Sequence, residues 1–303
     1  MLNKYLSLSF LMLLICAPVY AKTGCGEVGV WLQVLGSGGP ELDDGRASSG
    51  YVIWREGKAR LLIDIGSGSM FRFEQSGASL NDLDVILLSH MHVDHSNDLP
   101  ALIKASFFSN RDRDLHLYGP SGNSFMPSAK NFLQDLFGPD GAYQYLSGYL
   151  DGDESYRLLP HDVNAAGKAE QVVLADSRYR LTAVPVHHGP IPALAWRVEI
   201  EGKLIVFSGD MNNDNDTLAI LAKQADLLVA HHAVPEGIRG VARNLHMPPS
   251  VIGQIAAKAR VKQLVLSHRM NRTLGQEQIS TAQIRQQYNG PMHFADDLQC
   301  FRL

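Results

Sequence analysis

The sequence predicts an α/β fold of stacked sheets with helices on their outer faces, and three observations point there. Short apolar and β-branched runs alternate with segments of helical spacing along most of the chain. The runs recur in two groups, each ending in helices, which suits two sheets packed face to face. The chain has 303 residues, 45% hydrophobic and 19% charged, so it can bury a full core.

In chain order, the first segment reads as a leader, with a retained N-terminal anchor as the alternative. Lys4 precedes an almost unbroken apolar run over residues 6–17, and Val19-Tyr20-Ala21 forms a small-x-small cleavage pattern. Residues 1–21 are therefore expected to be a signal peptide, and 22–303 one secreted or periplasmic domain. The run is short for a bilayer, and Cys16 follows Leu-Leu-Ile rather than the small residue a lipoprotein signal requires. Removing the leader takes away Lys4 and no acid, so the net charge passes from −4 to −5. Cys25 and Cys300 then remain. In an oxidising compartment they can pair and tie the N-terminus to the C-terminal strand, two free thiols being the alternative.

Runs over 28–36, 51–55, 61–65 and 85–89, bounded by Gly, Asp and Asn, read as strands. Helical spacing follows over 99–108 and 123–137. The Gly-, Asp- and Tyr-rich stretch 138–152 is a loop or lid candidate. Further strands are expected over 179–186, 195–200, 204–208, 227–230 and 263–267, with helices over 218–225 and 249–259. No internal repeat or linker-like tract interrupts this order.

The chemistry concentrates in Ser89-His90-Met91-His92-Val93-Asp94-His95, at the end of a strand, where α/β proteins place their sites. In extended backbone His90 and His92 point the same way and can share one metal ion. Asp94 and His95 fall at the turn into the next helix and can face a second. Three imidazoles and a carboxylate within six residues are hard to explain as packing, because each would need its own buried partner. His188, Asp210 and His268 each end a later apolar strand. Singly such residues are caps or satisfied polar groups; together with the cluster they form a constellation.

With these residues the chain resembles the metallo-β-lactamase superfamily, which implies a four-layer αββα sandwich with two metal ions at the sheet edges. The resemblance extends from Leu35-Gly36-Ser37-Gly38-Gly39 and Leu62-Ile63-Asp64-Ile65-Gly66 to Ser267-His268. It assigns His90, His92 and His188 to one ion, Asp94, His95 and His268 to the other, and Asp210 to both. Asp64 would orient a ligand from behind. Asp210 stands where true β-lactamases commonly carry Cys, and His92 where the di-iron oxidoreductase branch uses Glu. An imidazole-rich set with two carboxylates suits two Zn²⁺, with Mn²⁺ or Fe²⁺ as alternatives. The implied mechanism is hydrolysis by a metal-bridging hydroxide.

Three features are similar to the tRNase Z and arylsulfatase-like phosphodiesterase branch. They are the Gly36-Ser37-Gly38-Gly39 turn followed by Arg46 and Ser48-Ser49, the run from His188-Gly189-Pro190 to Trp196-Arg197, and His246 before the helix feeding the strand that ends at His268. In that branch His246 would donate a proton to the leaving group. Arg272, with Arg243 and Arg269, would clamp phosphate or sulfate. His231-His232 follows a strand, and His232 is placed in the substrate pocket. His188 is preferred to His187 as ligand because it directly precedes Gly189-Pro190. Met211 and Arg269-Met270-Asn271 depart from tRNase Z, and no tRNA-gripping arm is evident.

The expected substrate is a small anionic ester, a phosphodiester first. The alternatives are a lactonase, thioesterase or β-lactam-type hydrolase on the same site, or a non-catalytic metal-binding protein. Net negative charge and the absence of interleaved basic and aromatic runs argue against a stable nucleic-acid partner. No membrane association is expected once the leader is removed, and a homodimer is possible.

Overall fold

Alternating apolar side chains give most strands two buried faces, so each sheet is covered on both sides. The computed structural model describes residues 24–303; the expected signal peptide lies outside the described residues. Its strands are β1 (Val30–Gly36), β2 (Gly50–Arg55), β3 (Lys58–Ile65), β4 (Val85–Leu87), β5 (Leu115–Pro120), β6 (Leu158–Val163) and β7 (Gln171–Ala175). They continue with β8 (Tyr179–His188), β9 (Ile191–Ile200), β10 (Lys203–Phe207), β11 (Leu227–His231), β12 (Leu264–Ser267), β13 (Met292–Phe294) and β14 (Cys300–Arg302). The helices are α1 (Ser69–Ser76), α2 (Val93–Ser96), α3 (Leu99–Ala105), α4 (Ala129–Phe137), α5 (Gly148–Asp151), α6 (Leu218–Leu221), α7 (Val241–Leu245), α8 (Pro249–Ala259) and α9 (Glu277–Arg285).

One sheet has the order β14-β1-β2-β3-β4-β5-β6 and the other β13-β12-β11-β10-β9-β8-β7. In the first, pairing is antiparallel from β14 to β3 and parallel from β3 to β6. In the second it is parallel from β13 to β10 and antiparallel from β10 to β7. Leu32, Ile53 and Ile63 meet Leu194, Trp196 and Phe207 between the sheets. The outer face of the first sheet packs Val52, Leu62 and Ile86 against Phe73, Leu102 and Leu133. That of the second packs Val206, Leu228 and Leu266 against Leu218, Ile252 and Ile284. The result is the four-layer αββα sandwich. No helix among the described residues is long and apolar enough to cross a membrane.

Several elements differ from expectation. The helix placed over 123–137 begins at Ala129, because Ser128 Oγ caps Asn131 N and Asn123 Oδ1 folds the preceding residues into a turn. The strands β5, β6, β7 and β13 and the helices α1 and α9 were not expected. The stretch 138–152 is part of the helical layer rather than a lid. Leu146 and Tyr149 are buried, and the Tyr149 ring lies 5.7 Å from Phe107 and 4.8 Å from Tyr156. It leads into the start of β6, the end opposite to where β4, parallel through β5, delivers the histidines. Cys25 and Cys300 form a disulfide, with Cα atoms 5.7 Å apart, joining the segment before β1 to β14.

Candidate metal centre

Five strand ends converge at one edge of the sandwich. β4 ends at Leu87, and Ser89 N donates to Asp64 Oδ1 at 2.7 Å, so His90 and His92 lie beyond the strand ladder. Asp94 and His95 follow on α2. Asp64 near the end of β3, His188 at the end of β8, Asp210 after β10 and His268 after β12 complete the set. Asp64 (φ 51°) and His268 (φ 53°) occupy the left-handed region, a strained conformation held by the surrounding packing. Gly39 permits this arrangement: a Cβ there would lie 2.9 Å from Cε1 of His268.

His90, His92 and His188 form one group, with His90 Nε2 2.9 Å and His188 Nε2 3.4 Å from His92 Nδ1. Their partners fix which nitrogen is free. Ser89 Oγ donates to Asp64 Oδ2 at 2.8 Å and so accepts from His90 Nδ1 at 3.1 Å. His188 Nδ1 donates to the Leu245 carbonyl at 3.0 Å. Both Nε2 lone pairs are left facing the centre, the arrangement in which an imidazole serves as a ligand.

The second group gathers around Asp210. Its Oδ1 lies 3.4 Å from His268 Nε2 and its Oδ2 3.6 Å from His95 Nε2. Asp94 Oδ2 is 3.2 Å from His268 Nε2 and 3.5 Å from His95 Nε2. Asp210 Oδ2 also lies 3.7 Å from His188 Nε2, so this one carboxylate touches both groups. His95 Nδ1 donates to Asp64 Oδ2 at 2.8 Å, while its buried Nε2 has no hydrogen-bond partner. A buried, unpartnered imidazole nitrogen between two carboxylates fits a metal ligand, and so does the convergence of one ring nitrogen each from His90, His92 and His188.

The electrostatics are those of buried groups held by their neighbours. Burial works against charge on His95, but Asp94, Asp64 and Asp210 outweigh it and raise its pKa. Burial, with His95 and His188 close by, lowers that of His90. Burial opposes ionisation of Asp210 too, yet His268, His246 and His95 hold it well below the usual carboxylate range.

The remaining candidates divide. His246, 7% exposed, has its Nδ1 3.9 Å from Asp210 Oδ1 and unpartnered, and burial lowers its pKa to about 3. Arg272 is anchored by Nε on the Ala233 carbonyl at 2.6 Å and by Nη2 on Met270 Sδ at 3.0 Å, and its charge is felt at His246. Arg243 reaches the Asn212 carbonyl at 3.3 Å on the rim. Arg269 does not join a clamp: it is buried, paired with Glu277 and 3.6 Å from Asp296. His232 does not line the pocket either, because its Nε2 bonds Ser280 Oγ at 2.9 Å and its ring packs on Phe294.

The neighbour His231 faces the centre instead, 2.7 Å from Asp210 Oδ1. Strand parity separates the two: Leu227 and Val229 face the other sheet, as His231 does, while Leu228 and Ala230 face the helices. His187, adjacent to His188, turns to Asn212 at 2.8 Å.

Residues 59–269 match the family described as a beta-lactamase superfamily domain. The ribonuclease Z of Picrophilus torridus is 26% identical over 273 residues, covering 80% of this chain and 86% of that one. Among solved structures, the short form of human tRNase Z superposes with a TM-score of 0.70 at 20% identity, covering 89% of this chain and 98% of that one. The metallo-beta-lactamase fold protein YhfI from Bacillus subtilis gives 0.69 at 20% identity, covering 90% and 98%. Both structures share the fold.

Proposed function

This chain belongs to the beta-lactamase superfamily, and from that premise we propose that it is a metal-dependent phosphodiesterase with a two-ion site. The observation that carries the reading is Asp210, whose Oδ2 stands 3.6 Å from His95 Nε2 and 3.7 Å from His188 Nε2. In this reading His90, His92 and His188 hold one ion, Asp94, His95 and His268 the other, and Asp210 both. Two Zn²⁺, or Mn²⁺ or Fe²⁺ in their place, would supply the charge that activates water and steadies the developing oxyanion.

The chain's own groups set the geometry. Asp64 and the Leu245 carbonyl hold the Nδ1 protons of His95 and His188, which keeps each Nε2 turned inward. His246, beside Asp210 with a free Nδ1 and kept neutral at rest by burial, is placed to take a proton from the attacking water and pass it to the leaving oxygen. Arg272, already tethered at Nε and Nη2, is left with Nη1 to meet a non-bridging oxygen.

The phosphodiester class draws support from the relatives named ribonuclease Z. The Cys25–Cys300 disulfide supports an exported protein, which favours a small anionic ester over transfer RNA. One observation favours a second reading, a carboxylic ester or lactone: exposed Leu42 and Val93 flank a cleft of about 320 Å³ that includes Asp94. The test is kcat/KM for bis(4-nitrophenyl) phosphate beside an aliphatic lactone and a thioester. The diester is expected to lead by about tenfold or more, and Arg272→Ala to raise its KM, as loss of a charge-assisted contact would. A lactone in first place would transfer the site to the second reading. Bound metal without turnover of any of them would leave a binding protein.

A further inference from the structure

The far end of the second sheet carries a cleft of about 670 Å³ whose chemistry the metal centre does not use. Tyr179 opens β8 beside this cleft, and His188 closes the same strand at the metal centre. The ten-residue strand that they begin and end sets the two about 30 Å apart. The walls are element ends: the turn before β8, the β9–β10 turn, the segment after α6 and the end of α8.

Seven of the chain's 27 lysines and arginines line this cleft, although the protein as a whole is net acidic. Its four acids are already engaged. Asp176 accepts from the backbone and side chain of Arg178, and Glu199 from Arg197 Nε at 3.1 Å. Glu201 pairs with Arg55, and Asp226 accepts from Leu204 N and Lys262 Nζ, both at 2.8 Å. Arg197 is also taken, since it caps the Leu221 carbonyl at the end of α6. Lys203, Lys223 and Arg260 have neither an ion pair nor a side-chain hydrogen bond among the described residues, so the cleft holds uncompensated positive charge. Lys223 and Arg260 also line an adjoining cleft of about 480 Å³.

The lining decides the kind of anion. Tyr179, the one aromatic residue of the lining, is buried, so the cleft has no free aromatic face on which a base could stack. We propose that this cleft is a second binding site, for a compact oxyanion of several charges such as a condensed phosphate, held by Lys203, Lys223 and Arg260.

Calorimetric titration of the purified chain with tripolyphosphate at low salt tests this. One binding event is expected, weakened by added salt. It should weaken by about tenfold or more in a Lys223→Glu/Arg260→Glu variant, and less in Lys203→Gln, as loss of charge-assisted contacts implies. Asp210→Ala should bind as the wild type does. Absence of binding, or binding unchanged in the double variant, would overturn the proposal. Binding lost in Asp210→Ala would also overturn it, by placing the anion at the metal centre.

Discussion

Nδ1 of His231 lies 2.7 Å from Oδ1 of Asp210, so the carboxylate shared by the two histidine groups is held from behind by a further ring. Nε2 of the same ring meets Tyr51 Oη at 3.2 Å, and that hydroxyl is 2.9 Å from Ser267 Oγ. Tyr51 belongs to the first sheet, His231 and Ser267 to the second. The chain of hydrogen bonds therefore crosses the core and fixes Asp210 relative to both sheets, with all four residues buried.

His231→Gln is accordingly expected to weaken metal binding by about 10–100-fold, the usual effect of losing a group that orients a ligand. Tyr51→Phe, which removes only the outer hydroxyl, should cost less. Competition against a chromogenic chelator measures both. Equal affinities for wild type and His231→Gln would remove His231 from the centre's support.

For His246 the informative comparison is between leaving groups. His246→Ala should slow a diester with a poorly acidic leaving alcohol by about 10²-fold or more, the range of general-acid catalysis. It should barely affect a 4-nitrophenyl diester, whose leaving oxygen needs no proton. A uniform loss on both would make His246 a positioning or binding residue.

The disulfide offers a stability test. Cys25 and Cys300 are 275 positions apart, and reduction or a Cys25→Ser/Cys300→Ser pair should destabilise the chain by about 2–4 kcal/mol. Denaturant unfolding of the oxidised and reduced protein reads this directly. Superimposable curves would mean that the sheet β14-β1 already holds the N-terminal segment.

His232 supplies a pH dependence. Burial first, then the nearby positive charge of Arg269, lowers its pKa from 6.5 to about 4. Above about pH 6.5 the ring is neutral in both folded and unfolded chains, and its contribution is complete. Between 6.5 and 4 the unfolded chain binds a proton that the folded ring excludes, so stability falls by up to about 3 kcal/mol. His232→Gln should flatten the unfolding free energy over that interval; an unchanged slope would contradict the assignment.

The fold, and the meeting of these side chains at one edge of the sandwich, were legible in the sequence because the residues sit at the ends of strongly apolar strands. His90, His92, Asp94 and His95 needed only their spacing, and His188, Asp210 and His268 only the strands before them. What was not legible depended on neighbours distant in sequence. Which of His231 and His232 faces the centre follows from which strand face meets the other sheet. Arg269 became a structural ion pair through Glu277 on α9, a helix burying only Ser280 and Ile284 and so showing little apolar pattern. β6 carries Pro160, β7 is half exposed and β13 has three residues, so none shows a clear strand signal.

The most direct measurement titrates Zn²⁺ into the metal-free chain while following hydrolysis of bis(4-nitrophenyl) phosphate. Two equivalents are expected to bind per chain, with turnover that rises as the second binds and disappears on chelation. Saturation at a single equivalent, or two bound ions with no hydrolysis of the diester, would contradict it.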